Sequence, residues 1–108
     1  MRIMNRDEFL AIEGEVLFSR YHDGAFGDLE IKGGTFGEID FTCQTLSTSL
    51  QAVGDEFFDE ISRGEETGGD MAMDFDCLGR DGLYDQNQKF AVWSADDVKA
   101  LIARLSRF

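Results

Sequence analysis

Apolar and polar residues alternate through residues 71–78: Met71, Met73, Phe75 and Cys77 fall on one side, Ala72, Asp74 and Asp76 on the other. A period of two is the mark of a half-buried strand. The same alternation recurs in residues 38–43 and 28–31. Three strands are therefore expected to share one apolar face and one face of carboxylates, with residues 71–78 as the strand around which the others are arranged. Residues 15–22, with Val16, Leu17, Phe18 and Tyr21, read as a further strand closed by an Asp23-Gly24 turn. Residues 89–93 read as a last one.

Helical spacing takes over elsewhere. Asn5 is placed to cap a first helix, with Glu8 completing a capping box and Met4 stapling against Phe9. Gly14 suits the position just past its end. A second helix is expected over residues 47–63, where Leu50, Val53, Phe57 and Ile61 recur on one side. Gly54 works against that span. A third begins at Ser94, again with a capping acid at Asp97, and carries Val98, Leu101, Ile102 and Leu105 as its apolar stripe.

Strands 28–31 and 38–43 are expected to form a hairpin through a three-residue loop, Gly33-Gly34-Thr35. That register pairs Leu29 with Ile39 and keeps the apolar rows together. It also sets Glu30 opposite Glu38 and Asp28 opposite Asp40, at a cost of a few tenths to roughly 1 kcal/mol per like-charged pair. The second helix repeats the pattern, with Asp55/Asp59 and Glu56/Glu60 four apart on its outer side. Folding alone gives no reason for such placements. The architecture expected is α+β: one domain over residues 1–108, with an about five-stranded, mostly antiparallel sheet and helices packed on one face.

Charge sharpens this picture. The 108 residues hold 22 acids and 10 bases, a net charge of −12. Residues 54–97 carry 13 acids against 3 bases, whereas residues 98–108 carry 3 bases and no acid. A field of that sign repels nucleic acid and anionic membranes and attracts basic protein surfaces. Neither an export signal nor a long apolar span is present in the sequence, so a cytoplasmic setting is expected. Cys43 and Cys77 read as buried free thiols.

Little catalytic chemistry is legible. Asp74-x-Asp76-x-x-Gly79 followed by Asp85 resembles a calcium loop, but Leu78 stands at its fifth position and Asp85 replaces the bidentate Glu. His22 is the single histidine and sits at a turn. The glycines at 24, 27, 33, 34 and 37 punctuate hairpins and do not precede a helix as a phosphate loop must. No enzyme activity, cofactor or metal is expected.

The acidic positions Asp28, Glu30, Glu38, Asp40, Asp55, Glu56, Asp59, Glu60, Glu65, Glu66, Asp74 and Asp76 are instead expected to bind a partner. Residues two apart on a strand are about 6.7 Å from each other, and successive phosphates of a nucleic-acid strand lie at a comparable spacing, roughly 6–7 Å. In size and in its patches Asp28-x-Glu30, Glu38-x-Asp40, Asp55-Glu56-x-x-Asp59-Glu60 and Asp74-x-Asp76, the chain resembles the small phage-encoded anti-CRISPR proteins that mimic DNA. The resemblance implies a bacterial host cell and, as partner, a basic DNA-binding surface on a CRISPR effector complex. Immunity proteins that plug basic nuclease toxins are similar in size and acidity. A small divalent-metal-binding or housekeeping domain is the third alternative. Direct binding of nucleic acid or membrane is not expected, and a homo-oligomer is compatible with the sequence.

Overall fold

The computed structural model describes residues 1–76 and 78–108; the expected inward placement of Cys77 lies outside them. Among the described residues, six antiparallel strands form one open sheet in the order β1-β6-β2-β3-β4-β5. They are β1 (Arg2–Met4), β2 (Val16–His22), β3 (Ala25–Phe36), β4 (Asp40–Thr45), β5 (Gly79–Arg80) and β6 (Lys89–Val92). Three helices accompany them: α1 (Arg6–Leu10), α2 (Asp55–Thr67) and α3 (Ala95–Leu105), with a short 3-10 turn at Leu46–Thr48. The class is α+β as expected, with six strands rather than about five.

Local signals fix several elements. Asn5 Oδ1 accepts from the Glu8 N–H at 2.9 Å, and the Glu8 carboxylate accepts from the Asn5 N–H, closing the capping box of α1. Ser94 and Asp97 do the same for α3. Asp23 and Gly24 both take positive φ between β2 and β3, as a tight hairpin turn of this kind requires. Helix α1 lays Phe9 against the sheet, where it stacks on Phe90 at 3.9 Å between centroids and meets Phe18 and Phe41 edge-on. Met4 and Val92 complete that core.

The β3–β4 register differs from the sequence expectation. Strand β3 runs through Gly33 and Gly34 as a bulge, and the chain reverses at Gly37-Glu38-Ile39 instead. Gly33 suits that bulge, because a Cβ there would collide with the Thr42 side chain. Glu30 therefore pairs with Thr45 and Asp40 with Phe36, so the like charges do not oppose each other. Leu29 and Ile31 consequently face away from Phe18, whereas Glu30 and Lys32 share its side and are buried.

The second helix begins eight residues later than expected, at Asp55, after Gly54 with φ 62°. The larger correction concerns residues 71–78. Met73 makes an isolated bridge to Leu50, and the chain turns at Phe75 and Asp76. Asp74 Oδ1 accepts from the Asp76 N–H at 2.9 Å, a side-chain turn that competes with a strand ladder. The outer edge of β4 is taken by β5 at Thr42 and Cys43.

Candidate acidic docking surface

The six acids expected on the sheet, Asp28, Glu30, Glu38, Asp40, Asp74 and Asp76, do not form a flat acidic face. Asp28 is exposed on β3 and Glu38 on the β3–β4 turn, but their intended companions are not. Arg20 Nε donates to the buried Glu30 Oε2 at 3.0 Å, and Arg20 Nη1 lies 2.7 Å from Asp81 Oδ1. Burial alone would lower the Arg20 pKa, but Glu30 and Asp81 raise it above its ordinary value. Arg6 joins the cluster, 3.6 Å from Asp81 Oδ2, while its Nη2 donates to the Ile39 carbonyl. Both guanidiniums sit 5.6 Å from the Phe41 ring.

Asp40 is fully buried and accepts from the Phe41 and Gly82 N–H groups and from Arg80 Nε. Burial would raise its pKa, yet these three donors hold it below the ordinary 3.8. Asp74 is half-buried in its turn, and Asp76 is exposed beside it. Glu60 is paired with Arg63, whose hydrogen bond lowers its pKa. The three strand pairs thus do not form a phosphate-spaced array; Glu30 and Asp40 are structural ion-pair partners.

The remaining acids come together on α2. Asp55, Glu56, Asp59, Glu65 and Glu66 are all exposed, and none forms an ion pair among the described residues. At 3.6 residues per turn Asp55, Asp59 and Glu66 share one row, with Phe58 and Glu65 alongside. Phe57, Ile61 and Gly64 occupy the opposite side, so the second of two adjacent phenylalanines must point outward: Phe58 is 72% exposed. Sequence reading missed Phe58; the Phe57-Phe58 doublet on a one-sided helix was the available signal.

Helix α2 stands off the sheet on a pinned neck. Gln51 N donates to the Ala72 carbonyl and Asp74 N to the Ser49 carbonyl, both at 2.8 Å. The buried Gln44 locks this neck, its Nε2 donating to Ser49 Oγ at 2.9 Å and to the Asp74 carbonyl at 2.8 Å. Gly64 lets Met71 lie close against the helix, since a Cβ there would meet Met71 Sδ at 2.9 Å. The radius of gyration, 15.5 Å, exceeds the roughly 13 Å of a compact domain this long.

Among the described residues no three metal-ligating side chains converge, and no helix is long and apolar enough to cross a membrane. No protein-family model matches the chain, and no curated protein or solved structure matches it either.

Proposed function

We propose that this chain is a non-enzymatic acidic inhibitor that occupies a basic, nucleic-acid-binding surface of a partner protein in the bacterial cytoplasm. One observation carries the reading: α2 projects five exposed carboxylates, none of them ion-paired among the described residues, and an exposed phenylalanine, Phe58. Two of them, Glu65 and Glu66, sit in the last turn, where the helix dipole disfavours acids and where the helix has no base. Such charge is unfavourable for the helix alone and favourable for a cationic partner. The docking residues are accordingly Asp55, Glu56, Asp59, Glu65 and Glu66, with Glu60 tied to Arg63 at their margin.

By its resemblance to DNA-mimicking anti-CRISPR proteins, the partner of first choice is a CRISPR effector complex. Phe58 supports a second reading, an immunity protein that plugs a basic nuclease toxin, because an aromatic anchor fits a pocket in a protein better than a track for phosphates. Immobilised protein is expected to retain an effector complex from bacterial lysate at low salt, release it as salt rises, and compete with DNA for it. Retention of a single nuclease domain selects the immunity reading. A retained partner that still binds DNA at full strength removes both.

A further inference from the structure

Helix α3 carries an apolar stripe that the fold covers only at its start. Val98 and Leu101 are half-buried and line clefts with Trp93. Ile102 and Leu105 are 58% and 50% exposed, and Phe108, just past the helix, is 94% exposed. Residues three apart are neighbours on a helix, so Ile102 and Leu105 share a face, with Lys99 one turn before Ile102. The Arg104 guanidinium sits 5.5 Å from the Phe108 ring. Residues 98–108 hold the bases Lys99, Arg104 and Arg107 and no acidic side chain. None of these bases forms an ion pair among the described residues.

The converse surface exists in the same molecule. At about 100° per residue, Asp55, Phe58, Asp59, Glu65 and Glu66 of α2 fall within an arc of roughly 120°. All five are exposed, and the four acids are unpaired among the described residues. We propose that the basic, apolar end of α3 docks on this face of α2 in a second copy of the chain. Within one copy neither set of charges is neutralised by the other; between copies each supplies what the other lacks. An exchange in both directions, α3 of each copy on α2 of the other, closes a two-fold dimer. At physiological salt, fields are screened beyond about 8 Å. The local opposition of acids and bases therefore decides the contact over the net charge of −12 that pushes the copies apart. Because α2 is also the surface proposed for the cationic partner, self-association and partner binding exclude each other. That exclusion rests on the inhibitor reading; the dimer itself does not.

The test is sedimentation of the intact protein at physiological salt, at concentrations up to about 1 mM. The parent is expected to pass from monomer to dimer as concentration rises. Lys99→Glu with Arg104→Glu and Arg107→Glu reverses α3; Asp55→Lys with Asp59→Lys and Glu65→Lys reverses α2. Each reversed protein alone should stay monomeric, and an equimolar mixture of the two should form the mixed dimer. Phe58→Ser and Leu105→Ser leave the net charge unchanged; each should weaken self-association at least about tenfold with the melting temperature kept. A parent that is monomeric at every concentration overturns the inference, as does a dimer untouched by both reversals and both serine variants. A monomeric parent that still retains a cationic partner overturns this inference and leaves the inhibitor reading standing. The expected dimer with no cationic partner retained does the opposite.

Discussion

Asp81 lies between two guanidiniums, with its side chain almost wholly buried against Arg6 and Arg20. Replacing it by Ala would leave Arg6 buried without its carboxylate, so Asp81→Ala is expected to cost about 3–5 kcal/mol in a denaturant titration. A loss under about 1 kcal/mol would show that the arginines are adequately solvated without it. Asp40 gives a pH signature. Its folded pKa lies below 3.8, so its stabilisation is complete above that unfolded value and is lost as pH falls through the folded one. Asp40→Asn should therefore be less stable than the parent at neutral pH, with the gap closing under acid. A gap constant from pH 7 down to about 2 would contradict this. None of this was legible in the sequence, because Arg20 and Asp81 are 61 positions apart and Glu30 and Lys32 alternate with apolar residues as solvent-facing side chains do. Only the actual register of β3 turns them inward.

At the scale of elements, signals confined to one turn of chain were readable and signals that depend on a distant neighbour were not. The capping boxes of α1 and α3 and the Asp23-Gly24 reversal follow from residues within four positions of each other. The Gly33-Gly34 pair was read as a turn, because nothing local reveals that Thr42 must pass close to Gly33. The alternation of residues 71–78 was real, but Asp74 and Asp76 made it a turn after a single bridge. Gln44→Ala should loosen the neck of α2 by about 1–3 kcal/mol, since it leaves the buried Ser49 hydroxyl and Asp74 carbonyl short of a donor. Hydrogen exchange should rise at Gln51, Asp74 and throughout α2; unchanged exchange there would show the neck is held by other contacts. Glu65→Gln with Glu66→Gln should slow exchange of the α2 amides by about twofold per residue, because two acids leave the C-terminal turn. Faster exchange would mean that those carboxylates support the helix.

On the scale of the whole molecule, two groups of acids stand in contrast. Glu30, Asp40 and Asp81 are consumed by Arg6, Arg20 and Arg80 inside the fold. Asp55, Glu56, Asp59, Glu65 and Glu66 on α2 stay outside and, among the described residues, unpaired, and a cationic partner would meet their field. The sequence disclosed the excess of acid and its concentration after residue 53, but not this division. Neutralising the outer population is thus expected to alter binding and spare stability. The most direct check is the affinity of the retained partner for the variant Asp55→Asn, Asp59→Asn, Glu65→Gln, Glu66→Gln. The affinity should fall by on the order of a hundredfold or more at low salt; an affinity equal to that of the parent protein would contradict the assignment of α2 as the docking element.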